Sequence, residues 1–143
     1  MTFARFTLAA LLLLAGCKRH DSQPVVTHAW VRLAAVPGQP AAAYFTLRGD
    51  GEKLVRVETT MAKRTEMHEN MIGMHGMTMM APLDHVDVRG TVTFAPGGNH
   101  LMIFGLDRII TPGTAVPLRF GFASGKTAEA EAKTVAAGDS APY

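Results

Sequence analysis

The stretch KTAEAEAKTV, residues 126–135, decides the fold class. Its Ala, Glu and Lys content suits a helix. The order of the residues argues against one. Ala128, Ala130 and Ala132 alternate with Glu129, Glu131 and Lys133, and a period of two is that of a strand with one face buried. We therefore read the segment as a strand.

Working outward, the same period and a β-branched and aromatic composition recur upstream. VVTHAWVRL (25–33), AAYFTLRG (42–49), KLVRVET (53–59), HVDV (85–88), TVTF (91–94), HLMIFG (100–105) and VPLRFGFA (116–123) all read as strands. They are punctuated by VPGQP, RGDG, APGGN, TPG and ASGK, which are turn compositions. No long segment of period 3.6 follows the N-terminal apolar run. Seven to nine short strands at this spacing predict an all-β antiparallel sandwich or barrel in a single domain. There is no internal repeat.

The N-terminus reads MTFARFTLAALLLLAGC (1–17). Arg5 precedes an apolar run from Phe6 to Ala15, which is too short to span a bilayer but fits the core of an export signal. The run ends Leu14-Ala15-Gly16-Cys17, which resembles the lipobox of bacterial lipoproteins. Residues 1–16 are thus expected to be a signal peptide, and Cys17 the lipidated residue of a membrane-anchored periplasmic protein. CKRHDSQP (17–24) is a polar tether ending in Pro, residues 25–136 are the β-domain, and residues 137–143 a frayed tail. Lys18 and Arg19 can meet anionic lipid, and Lys18 directly after Cys17 resembles outer-membrane sorting.

Two consequences follow. Removing residues 1–16 takes away only Arg5 and leaves 13 basic against 12 acidic residues. A near-neutral chain carries no electrostatic argument for nucleic acid. Cys17 is also the only Cys, so its acylation leaves neither a free thiol nor a disulfide in an oxidising compartment. Any soft-metal site must be built without thiolate.

Residues 66–80, EMHENMIGMHGMTMM, hold six methionines and two histidines. A core is better specified by Leu and Ile, and here the thioethers alternate with Gly, Glu, Asn and Thr in a loop or hairpin composition. A second cluster lies in PGGNHLM (96–102), where His100 and Met102 share one face of a strand. Uncharged, soft thioethers select Cu(I) over Zn²⁺, Ca²⁺ or Mg²⁺, and imidazole serves copper as well. A blue-copper centre needs a Cys thiolate beside two His, which this chain does not supply. Met-rich surfaces also dock proteins, so a non-metal interaction lipoprotein is a rival reading. No nucleophile–base or carboxylate pair with a suggestive placement stands out, and an enzyme is not expected.

In these two clusters the chain resembles the PCu(A)C family of periplasmic copper chaperones. His68, ten intervening residues, Met79, and then His100-x-Met102 follow the family's motif. The interval from Met79 to His100 is twenty residues, one short of the family's pattern, and Met77 and Met80 are substitutes if the register shifts. We place the missing residue in HVDVRGTV, read as strand-turn-strand. HAWVRLAAVPGQPAAAYFTLRG (28–49), FAPGGNHLMIFGL (94–106) and GTAVPLRFGF (113–122) extend the match across about residues 25–135.

The resemblance implies a cupredoxin-like β-sandwich and a Cu(I) site of His68, Met79, His100 and Met102; Met71, Met74, His75, Met77 and Met80 exceed the family's motif and read equally as an auxiliary metal-capture surface or as a mobile loop. It implies delivery of copper to a haem–copper oxidase subunit during cytochrome oxidase assembly, directly or through a thiol-bearing assembly protein. A monomer is expected. A copper-buffering resistance protein would use the same ligands. The His/Met-rich tail of some family members has no counterpart in KTVAAGDSAPY (133–143).

Overall fold

A computed structural model describes residues 22–143. The expected signal peptide, Cys17 and the expected tether as far as Asp21 lie outside the described residues. Eight strands follow in order: β1 (Val25–Arg32), β2 (Ala41–Glu58), β3 (Arg64–Ile72), β4 (Thr78–Pro82), β5 (Val86–Phe94), β6 (His100–Phe104), β7 (Ala115–Phe122) and β8 (Thr127–Val135). A single 3₁₀ turn, Met74–Gly76, joins β3 to β4. The fold is all-β, and the alternating segment that suits a helix by composition forms β8, with Ala132 fully buried between exposed Glu131 and Lys133.

All eight strands form one sheet, curled so that β1 closes back on β2. β2 pairs with β7, β7 with β8, β8 in parallel with β1, and β1 back with β2. Closure leaves β1, β8, β7 and β2 paired on both sides. β6, β3 and β4 extend from the N-terminal end of β2 as an antiparallel ribbon. β4 is its last strand.

Two turns expected from glycine clusters are not turns. RGDG lies inside β2, which runs unbroken for 18 residues. Likewise HVDVRGTV is not strand-turn-strand, because β5 continues through Gly90. The two sites are partners. Gly49 pairs with Gly90 and Asp50 with Arg89, and the register then shifts between Asp50 and Glu52. Gly51 and Gly90 have φ of 73° and 83°, values that cost a residue with a Cβ far more than glycine. An extra residue of this kind bends and twists a strand without ending it. The glycines therefore let one ribbon, β2–β5, pass around the barrel.

Inside, Phe45 of β2 stacks on Phe94 of β5, with centroids 4.3 Å apart, and meets the edge of Phe120 of β7 at 4.8 Å. Leu47, Leu54, Val88, Leu118 and Val31 complete a fully buried centre. Beside it, Val31, Ala43, Leu101 and Met67 are paired neighbours on β1, β2, β6 and β3, all buried. This row backs the ribbon from within and fixes which residues face outward.

The chain beyond β8 carries no strand. Its Asp139 carbonyl accepts from Arg32 at 3.4 Å, and the Tyr143 ring meets the edge of the His28 ring at 5.2 Å.

Candidate metal centre

Side chains alternate along a strand, and directly paired residues share a face. With Met67 and Leu101 turned inward, the outer face of the ribbon carries the chemistry. His68 pairs with His100 and Glu66 pairs with Met102. Met102 also pairs with Ala42, which pairs with Arg32. Trp30 pairs with Tyr44 on the same face, their centroids 4.5 Å apart, and the Arg32 guanidinium lies 5.0 Å from the Trp30 ring centroid. The register thus brings together three of the four expected ligands: His68, His100 and Met102.

The imidazoles lie 5.9 Å apart, centroid to centroid, and each is held by one nitrogen. The tight loop before β6 is closed by Gly98 N donating to the Ala95 carbonyl at 3.0 Å and Ala95 N to the Asn99 carbonyl at 2.9 Å. This leaves the Gly98 carbonyl 3.0 Å from His100 Nδ1. A carbonyl only accepts, so Nδ1 carries the proton, and Nε2 is the lone-pair nitrogen of neutral His100. His68 is held the other way. Its Nε2 lies 3.1 Å from Glu66 Oε2, and its Nδ1 is buried with no hydrogen-bond partner. An orphaned buried nitrogen is costly, and such groups call for an explanation such as an ion or water. Arg64, on the far side of Glu66, donates to its other carboxylate oxygen and lies over the Phe104 ring at 3.8 Å.

The hairpin separates its methionines between two faces. Met80 pairs with Asn70 and Pro82 with His68, so Met80 shares the outer face with His68, His100 and Met102. Met79 pairs with Met71, and by alternation both share the face of Met67. The Met79 sulfur rests against Gly73, where a Cβ would come within 2.8 Å of it. By register, the thioether nearest in place to the other three ligands is therefore Met80, one residue beyond the position the motif count selects. Met71, Met74, Met77, Met79 and Met80 are all substantially exposed. His75 sits in the turn with φ of 71°, and its residue lies outside the His68–His100 row.

Burial pushes the Tyr44 hydroxyl above its ordinary pKa, and Arg32 partly offsets this. Glu66, in contact with His68, is a side chain of this face that the sequence reading does not single out. Its signal was the spacing Glu66-x-His68 on a strand, which sets a carboxylate beside an imidazole.

The donor set fits a soft monovalent ion. Each neutral imidazole presents one lone-pair nitrogen, and the thioethers are neutral and polarisable, as Cu(I) prefers. Among the described residues no group of three or more His, Cys, Asp and Glu is placed to hold a metal ion without thioethers. Nor is any helix among them long and apolar enough to cross a membrane.

Comparison with known proteins gives a family and a fold. Residues 25–134 match the family model described as "Putative lipoprotein LpqE-like". The copper-bound PCuAC domain from PmoF2 superposes with a TM-score of 0.65 at 18% identity, over 81% of this chain and 95% of that one. The apo PCuAC domain from PmoF1 gives 0.64 at 20% identity, over 81% and 96%. The solution structure of CuI-DR1885 from Deinococcus radiodurans gives 0.58 at 29% identity, over 84% and 82%. No curated protein matches the sequence.

Proposed function

Since the chain belongs to the LpqE-like family and has the cupredoxin-like fold of PCuAC copper domains, we propose that it is an extracytoplasmic, lipid-anchored copper chaperone. It holds Cu(I) through His68, His100 and Met102, with a hairpin thioether as the fourth donor. The carrying observation is the cross-strand placement of His68 opposite His100, with Met102 two residues along the same face. The Cu(I)-loaded neighbour supports the oxidation state. Register favours Met80 as the fourth donor over the Met79 of the motif count. Cys17 is the attachment point of the lipid.

The ligands lie on the outer face of a curled sheet, where His100 is buried at 8% exposure and Met80 is 56% exposed. A partner's donors can therefore enter as this protein's leave, which suits delivery. The acceptor we propose is a haem–copper oxidase centre or a thiol-bearing assembly protein for it.

An anaerobic Cu(I) titration against a chromophoric competitor tests the site. One tight equivalent, weakened in both His100→Ala and Met102→Leu, is the expected result. Binding unchanged in both variants would remove it. Delivery is tested in a deletion strain under low copper, where oxidase activity should fall. Intact oxidase activity with raised copper sensitivity would favour buffering instead.

A further inference from the structure

We propose that Glu66 is a positioning residue that fixes the tautomer of His68, so that the two imidazoles offer copper opposite nitrogens: Nδ1 from His68 and Nε2 from His100. The inference rests on the copper reading above but is carried by geometry of its own. Glu66 and His68 are two apart on β3 and so share its outer face. Glu66 Oε2 lies 3.1 Å from His68 Nε2, and a carboxylate facing neutral imidazole must accept, which puts the proton on Nε2. The lone pair is then on Nδ1, the atom that is buried and lacks any hydrogen-bond partner.

Glu66 is itself held from its other side. Arg64 donates to Oε1 while stacked over Phe104. The order along β3 is thus guanidinium, carboxylate, imidazole, at positions 64, 66 and 68. Opposite them on β6 stand Phe104, Met102 and His100. His100 needs no such partner, because the Gly98 carbonyl already occupies its Nδ1–H. A hydrogen bond to the distal nitrogen fixes a ligating imidazole's orientation and raises its basicity, and losing such a partner typically costs 10–100-fold in metal affinity.

The arrangement also explains why a carboxylate stands beside a site of neutral donors. Its charge is shared between Arg64 and the His68 N–H, so it acts through the imidazole and is not a ligand. Glu66→Gln keeps an acceptor for Nε2–H, whereas Glu66→Ala removes it.

The test is long-range ¹H–¹⁵N correlation spectroscopy of the ¹⁵N-labelled protein, above the pH at which its imidazoles are neutral. It is run metal-free and then with one equivalent of Ag(I) as the probe for Cu(I). The metal-free protein should show His68 as the Nε2–H tautomer and His100 as the Nδ1–H tautomer. Silver should then shift Nδ1 of His68 and Nε2 of His100. In Glu66→Ala, His68 should become a tautomer mixture and Cu(I) affinity should fall 10–100-fold. Glu66→Gln should restore both. An Nδ1–H tautomer of His68 in the wild type, or silver shifting its Nε2, overturns the inference while leaving copper binding intact. Should silver bind nowhere near His68 or His100, the copper reading fails, and the metal-free tautomers still decide what Glu66 does. That wild-type measurement stands even if Glu66→Ala does not fold.

Discussion

Leucine at position 80 and leucine at position 79 should have very different effects on copper, although the residues are neighbours and almost equally exposed, at 56% and 54%. Leu and Met have similar volumes, and exposed substitutions of this kind normally change stability by no more than about 0.5 kcal/mol. Both variants should therefore fold like the wild type. At the 1.4 kcal/mol that corresponds to tenfold in a constant, that bound is a factor of about two to three. Met79→Leu should stay within it, because Met79 pairs with Met71 on the face opposite His68. Met80→Leu removes a donor from the face that carries His68, His100 and Met102. Even the loss of a partner one bond removed from a metal costs at least about tenfold, so a lost donor should cost that much or more. Competitive anaerobic Cu(I) titration of the two variants reads the difference directly. Tenfold weakening by Met79→Leu with Met80→Leu unchanged would refute the assignment. The hairpin would then have to twist half a turn between His68 and position 79.

Two further outcomes concern the scaffold. Phe45→Ala removes a 1%-exposed ring that joins β2 to β5 and β7, and chemical denaturation should register a loss of about 3–5 kcal/mol. Tyr44 has a folded-state pKa above its ordinary 10.0, so its stabilising contribution is complete below pH 10 and is lost as pH rises from there toward the folded value. Melting temperature should drop with pH in that window, and Tyr44→Phe should make the drop shallower; an identical drop would show that burial of the hydroxyl is not its cause.

What could be read before folding follows from which distances are local. The alternation in 126–135 gave β8 despite its helical composition, because one strand face must be buried whatever the propensity of its residues. His100-x-Met102 was equally legible, since i and i+2 share a face within one strand. The glycines misled because Gly49 and Gly90 each look like a turn alone. Their meaning lies in being opposite one another, 41 positions apart, and chain order does not display that. Glu66 was missed for a related reason: its role depends on which nitrogen of His68 it meets. The Met79 and Met80 question is the sharpest case. A shift of one residue in register moves a side chain to the other face, so counting ten residues from His68 cannot choose between them, whereas the pairing of Asn70 with Met80 can.

The proposed transfer then has a physical order. His68, His100 and Met102 stand on β3 and β6, whose inward residues Met67 and Leu101 are buried against the core. Both imidazoles are further pinned, one by Glu66 and one by the Gly98 carbonyl. Met80 is on β4, the last strand of the ribbon, close to a 3₁₀ turn with no buried residue. Elements with few buried contacts open at lower cost than those that share the core. The donor that can leave most cheaply is thus Met80, and it leaves toward solvent, where an acceptor's ligand can enter. Clamping the hairpin should then slow transfer without weakening the complex. A Gly73→Ala change does not test this cleanly, because the new Cβ meets the Met79 sulfur at 2.8 Å. A disulfide between positions 70 and 80 would delete the donor itself. Cysteines at 71 and 79, a directly paired position on the other face, are the substitution to make. Because reduced thiols at these positions would themselves bind Cu(I), the control is the Met71→Ser/Met79→Ser pair: copper affinity should match between it and the closed disulfide, and handover to an acceptor of His and Met donors should be slower with the disulfide closed.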